Sequence, residues 1–348
     1  MSSPGATRAV PPADGSSDPG VAWHYGEPHA EQRALASGER VVVDISNRGV
    51  ITVTGPDRLS WLHSLTTQYV DNLAAGESAL ALILSPHGHV EHEMHVVEDG
   101  STTWLIVQQG TAPDLARYLE SMRFMLRVEI ADVTSDFAVV WEPCQDIDPD
   151  APTWLVPEPF ASRGFAGREV IIERSLLVER LAGASLAGSW ALEALRVAAA
   201  MPRLSLETDH RTIPHEVGWI TTAVHLQKGC YRGQETVARV QNLGKPPRRL
   251  VLLHLDGSDE VMPSHGDPVL WGDREVGWVG TAARHYELGP VATAIIKRNV
   301  PVDAELVVRV GGTPGWATDF GNEGGDSASA PSAGHLVAAA QEVIIPAD

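Results

Sequence analysis

The chain has 348 residues, 43% of them hydrophobic, with 45 acidic against 26 basic side chains and a formal net charge of -19. That length suits about two domains, and so negative a field repels phosphates, which excludes a general nucleic-acid binder and a membrane-surface binder. Cys144 and Cys230, far apart and without CxxC spacing, exclude a disulfide framework and a paired metal-ligand set, and fit a reducing compartment.

Residues 1–20 are rich in Ser, Pro, Gly and Ala without an apolar run, so they are neither signal peptide nor membrane span. They read as the disordered leader of a cytoplasmic protein. Arg40 to Ile45 and Gly49 to Thr54 are β-branched runs separated by Ser-Asn-Arg, the pattern of two short strands. Gly55-Pro56-Asp57 opens a helix to about Tyr69, with Leu59, Trp61, Leu62 and Leu65 inward and His63 on its polar side. Ala79 to Leu84, the turn Pro86-His87-Gly88 and Val90 to Val97 make a hairpin, followed by a strand over Thr103 to Gln108. His87, His89, His92 and His95 invite a metal reading, yet His92 and His95 point to opposite faces of one strand, so the four do not converge.

Ala112 to Met125 is helical, with Leu115, Tyr118, Leu119 and Met122 on one stripe; Leu126 to Ile130, Phe137 to Trp141 and Arg168 to Glu173 are strands. Glu142 to Pro159 is a surface loop rich in Pro and Asp, where Cys144 has no cationic neighbour and is inert. Leu176 to Leu181 is a short helix, and Ser189 to about Ala200 a longer one ended by Pro202. Leu206 to Glu216 follows neither period and forms a polar loop, either a pocket wall or a charged surface turn. After Pro246-Pro247, five short strands between tight turns, from Arg249 to Val310, suggest a small β-barrel. Residues 311–334 are Gly, Ser, Ala and Asp, a flexible insertion, and Gln341 to Pro346 returns as the last barrel strand. Hairpins outnumber βαβ units, which gives an α+β fold on mixed antiparallel sheets. The expected units are a leader 1–20, a main domain 21–245 and a C-terminal barrel 246–348.

One stretch stands apart: Lys228-Gly229-Cys230-Tyr231-Arg232-Gly233-Gln234-Glu235. Glu235 to Gln241 forms a short helix, opened at Gly233 and stopped at Gly244 before Pro246, with Cys230 just ahead of its positive end. Lys228, Arg232 and His225 favour the thiolate, and Gly229 and Gly233 let a ligand approach the backbone. A lone cysteine is usually a small buried apolar residue; the charges and glycines here point instead to a reactive thiol. Lys228, Arg232, Arg239, Lys245, Arg248 and Arg249 make a basic stripe on an acidic body, suited to a small anionic ligand or merely a solvated face.

This stretch resembles the signature of the YgfZ family, folate-binding proteins of iron-sulfur cluster assembly and repair related to the glycine-cleavage T-protein. The similarity extends to Arg211-Thr212-Ile213-Pro214-His215-Glu216 before it and to Lys245-Pro246-Pro247-Arg248-Arg249 after it. It implies a T-protein-like folate-binding domain followed by a small barrel, tetrahydrofolate or a one-carbon derivative as cofactor, and iron-sulfur client enzymes, among them tRNA-modifying ones, as partners. Cys230 would face a central cavity, assisted by Lys228 and Arg232, with Tyr231, Gly233, Gln234, Glu235, Glu207, Asp209 and Glu216 around the folate. Two departures from the T-protein argue against aminomethyl transfer. His92-Glu93 stands where that enzyme has paired aspartates, and Ala198 where its Leu-Arg-Leu-Glu segment supplies a pterin-binding glutamate. The alternatives are a tetrahydrofolate-dependent aminomethyltransferase and a non-catalytic folate-binding scaffold with a structural Cys230.

Overall fold

The computed structural model describes residues 7–8, 18, 20–258, 260–311 and 334–346. Most of the expected leader 1–20, and all but the ends of the expected insertion 311–334, lie outside the described residues. In chain order the elements are β1 (Thr7–Arg8), β2 (Ala22–His24), α1 (Pro28–Ala36), β3 (Val41–Asp44), β4 (Gly49–Thr54), α2 (Arg58–Leu65), β5 (Ser78–Leu84), β6 (Val90–Glu98), β7 (Thr102–Val107) and α3 (Ala112–Met122). There follow β8 (Glu129–Asp132), β9 (Phe137–Glu142), β10 (Thr153–Leu155), β11 (Arg168–Glu173), α4 (Leu177–Leu181), β12 (Ser185–Ala187), α5 (Ser189–Ala198) and α6 (Gln234–Leu243). The last six are β13 (Arg248–Leu255), β14 (Pro268–Trp271), β15 (Arg274–His285), β16 (Gly289–Lys297), β17 (Leu306–Val310) and β18 (His335–Val343).

Two five-stranded sheets carry the larger part of the chain, in the orders β10-β11-β9-β3-β12 and β5-β6-β7-β4-β8. All their pairs are antiparallel except β12 with β3. The third unit is a closed barrel, β13-β16-β15-β14-β17-β18. The fold is therefore α+β with a C-terminal barrel. The barrel's last strand begins at His335, well before the expected Gln341.

Strand β6 shows how alternation builds the interior. Met94 and Val96 pack against Trp61 and Leu62 of α2 and Leu115 and Leu119 of α3 in one core. The opposite face sends Val97 into the main core, where residues of both sheets meet α5 and the barrel's Leu250, Trp278 and Ile295. Helix α5 is almost wholly buried, as expected of a helix apolar nearly all round. Glu193 and Arg196 are buried with it.

Three helices depart from the sequence expectation. Helix α2 stops at Leu65, because Thr66 turns extended and Thr67 joins the core, donating to the Ala223 carbonyl at 2.6 Å. Helix α3 stops at Met122, and Phe124, in the left-handed region at φ 50°, redirects the chain so that the next strand starts at Glu129. Helix α1 was not anticipated: Glu27 at its start makes no side-chain cap, which left Pro28 and Glu31 in the first turn as its entry signals. No helix among the described residues is long and apolar enough to cross a membrane.

Candidate functional site

The signature loop is stitched to the segment after α2. Ala223 accepts from Thr67, His225 N–H donates to the Thr67 carbonyl at 2.9 Å, and Gln68 Nε2 donates to the Thr222 carbonyl at 3.0 Å. Lys228 completes the seam. Its buried ammonium donates to the carbonyls of His63, Thr66 (2.6 Å) and Gln68 (3.0 Å), and lies 5.3 Å from the Tyr231 ring. A cation at the end of α2 suits the helix's negative pole, although burial draws its pKa down to about 8. Tyr231 sits in the main core, where burial raises its phenol to about 12.

Gly233 fixes the other side of the loop. Its φ is 81°, and a Cβ there would lie 2.6 Å from the Ser85 carbonyl oxygen and 3.0 Å from Gly88 Cα. The start of α6 thus rests directly on the β5–β6 turn. Gln234 Nε2 reaches back to the carbonyls of Lys228 and Gly229, both at 3.4 Å. Glu235 is exposed in the first turn of α6. Between these anchors Cys230 stands exposed, while Cys144 is half-buried and donates to the Asp146 carboxylate at 3.7 Å.

The cations expected to polarise Cys230 are engaged elsewhere. Lys228 is held by three carbonyls, and Arg232 pairs with Glu91 at 2.9 Å and stacks 5.7 Å from the Tyr118 ring. Spacing along the chain placed both near the thiol, but the turn at Cys230 sends their side chains to neighbouring elements.

A second cluster surrounds a central cavity where the two sheets meet α5. Trp141, Phe165 and Met201 line it beside Arg48, Glu93, His95, Glu169, Glu193, Arg196 and Arg203. His95 stacks on Trp154 with ring centroids 3.6 Å apart, and its two nitrogens face Glu169 at 2.7 Å and Glu93 at 3.3 Å. Burial acts to lower its pKa, but the carboxylates outweigh it and raise the imidazole to about 9. Arg196 is gripped by Glu193 at 2.9 Å and Glu207 at 3.2 Å. Glu207 is fully buried and also accepts from Thr281 (2.6 Å) and Thr293 (2.7 Å), which ties α5 to barrel strands β15 and β16. Burial acts to raise its pKa, and Arg196 with these hydroxyls overcomes that and lowers it.

The cavity encloses ≈ 30 Å³ of space for water centres. A space of that size admits a few waters and not a bicyclic ring. The aromatic faces and charged donors suit a flat, polar heterocycle; the room, as folded, does not.

The expected site residues thus fall into three places. Cys230, Lys228, Tyr231, Arg232, Gly233, Gln234 and Glu235 form the signature loop and the start of α6, and none of them is among the cavity's lining residues. Glu207 stands behind Arg196. Asp209 and Glu216 both grip Arg248 of β13, at 2.6 and 2.8 Å, beside a pocket of ≈ 220 Å³ lined also by His210, Glu275 and Lys297. The arginine outweighs burial and holds Asp209 well below the usual carboxylate range. The cavity's own groups went largely unnoticed in the sequence. Glu169 inside Arg-Glu-Val-Ile-Ile and the Glu193/Arg196 pair on an otherwise apolar helix were the available signals, being charges where the period demands core. Nothing local marks Arg203.

Comparison with known proteins agrees with this architecture. Residues 22–141 match the GCVT N-terminal domain. A putative chloroplastic transferase of Arabidopsis thaliana is 28% identical over 251 residues, covering 63% of this chain and 57% of that protein. A mitochondrial homologue of the iron-sulfur cluster assembly factor IBA57 from Mycosarcoma maydis is 24% identical, covering 60% and 56%. The chain therefore spans little more than half the length of these two relatives. The tRNA-modifying protein YgfZ of Colwellia psychrerythraea is 23% identical, covering 78% and 88%. In three dimensions, the glycine cleavage system aminomethyltransferase T of Bartonella henselae superposes with a TM-score of 0.74 over 98% of this chain and 94% of that one, at 15% identity, a likeness of fold. The domain match, the named relatives and the whole-chain superposition agree: the chain carries a GCVT N-terminal domain over residues 22–141, has the T-protein fold and is similar to YgfZ-type proteins.

Proposed function

We propose that the protein is a cytoplasmic folate-binding factor that supports the assembly or repair of iron-sulfur enzymes, tRNA-modifying ones among them, with Cys230 as its working thiol. The observation that carries this reading is the exposed Cys230, held between a buried lysine and a glycine whose side is closed by another element. Rigid anchors on both flanks present one sulfur to solvent, and a thiol that merely filled a core would need neither. The YgfZ and IBA57 relatives support the iron-sulfur and tRNA context, and the folate rests on the resemblance of the Lys228–Glu235 signature to the YgfZ family. Tetrahydrofolate or a one-carbon derivative occupies the central cavity after a rearrangement that enlarges it. Aminomethyl transfer is the weaker reading, since both oxygens of Glu93 are engaged, by His95 at 3.3 Å and by the Leu204 N–H at 3.1 Å.

The test is restoration of iron-sulfur enzyme activity in cells lacking their own YgfZ-type protein. Wild type and Cys144→Ala restore the tRNA modification those enzymes perform; Cys230→Ala, equally folded, does not. Full restoration by Cys230→Ala would remove the thiol from the function, and lipoyl-protein-dependent aminomethyl transfer by the purified chain would favour the other reading.

A further inference from the structure

We propose that Arg48 and Arg203 form an anion-binding site in the cavity wall for the carboxylate of a small ligand, and that Asp18 fills this site from within the chain. Both arginines line the cavity. The remaining charges there are matched locally: Glu93 and Glu169 face His95, and Glu193 and Glu207 grip Arg196. Arg203 shares Glu193 at 2.8 Å, but its outer edge is given over to Asp18, which accepts two bonds at 2.8 and 3.0 Å. Among the described residues, the Arg48 guanidinium donates to Gln108, its buried Nε has no partner, and no carboxylate lies within ion-pair distance of it. Arg48 is half-buried, and a guanidinium whose sealed Nε has no acceptor leaves a donor that an entering carboxylate would satisfy.

Asp18 shows what the site receives. It is 4% exposed, 185 positions from Arg203 in sequence, and bonded also by Asn47 Nδ2 at 3.2 Å. Burial acts to raise its pKa, and Arg203 and Arg48 together overcome it and hold the carboxyl well below the usual range. The planar fork of an arginine gripping both oxygens of a carboxylate is the geometry in which Arg selects such groups over neutral ones. Asp18 and a carboxylate ligand therefore exclude one another at the Arg203 guanidinium. The proposal goes beyond the folate reading, because any carboxylate that enters the cavity meets the same two arginines; tetrahydrofolate brings its own on the glutamate tail.

The experiment is isothermal titration of the full chain, wild type and Asp18→Ala, with tetrahydrofolate and separately with glutarate as a free dicarboxylate. Asp18→Ala should bind at least one probe about tenfold more tightly than wild type, the factor expected when the open form is about one-tenth populated. Adding Arg203→Gln or Arg48→Gln should erase the gain. Modification of Arg203 by phenylglyoxal, read by mass spectrometry without any ligand, should be faster in Asp18→Ala. If glutarate alone shows the gain and tetrahydrofolate binds neither protein, the anion site stands and the folate reading fails. If tetrahydrofolate binds both proteins equally and glutarate gains nothing, the folate reading stands and this proposal falls. No gain with either probe overturns it.

Discussion

His95 gives the fold a pH dependence in the neutral to alkaline range. Its imidazole is held near 9 in the folded chain by Glu169 and Glu93, against about 6.5 when unfolded. A raised folded pKa gives stability that is fully present below the unfolded value and is lost as pH rises through the folded one. Wild type should therefore lose on the order of 3 kcal/mol between pH 6.5 and pH 9 from this group, read as a falling urea midpoint. His95→Gln should be less stable at pH 6.5, with two buried carboxylates left without their cation, and should lack that part of the fall. An identical pH slope in the two proteins would show that His95 is not the group responsible. The sequence exposed His95 only as one of four histidines in a hairpin. Its alternation with His92 spoke against a shared metal, but the acids that charge it come from its own strand and from β11, and pairing across sheets is not written in local spacing.

At the level of elements, the signature works as an interlock between α6 and the β5–β6 turn. Gly88 and Gly233 both have φ 81°, and each sits where the other element closes in: a Cβ on Gly88 would lie 2.7 Å from Thr236 Cβ, and one on Gly233 2.6 Å from the Ser85 oxygen. Replacing either by alanine should cost about 2–4 kcal/mol. Gly229, with nothing within 4 Å of its hypothetical Cβ, should tolerate alanine within about 0.5 kcal/mol. Equal urea midpoints for all three variants would dissolve the interlock. Here the sequence was informative. Two glycines around Cys-Tyr-Arg announced a constrained loop and a helix after it, and α6 runs over Gln234–Leu243 with Gly233 at its start. The directions of Lys228 and Arg232 were not legible, because their partners, the carbonyls after α2 and Glu91 on β6, lie far away in sequence.

For the whole molecule, alternation and turn residues revealed the barrel strands, and the mixed order of strands and helices revealed the α+β class. The central cavity was hidden, since its walls come from β6, β9, β11 and α5 together and no single segment contains it. What results is an acidic chain with a compact knot of buried charge at its centre and one exposed thiol on a rigid loop elsewhere. The account joins the two by assigning folate to the first and sulfur chemistry to the second. Trp141 lines the cavity and Trp154 stacks on His95 at its edge, so tryptophan emission reports directly on occupancy. Titrating the full chain with tetrahydrofolate, wild type beside Cys230→Ala, should give the same saturable change in emission in both, because the thiol is not part of the cavity wall; no change in either protein would contradict the account.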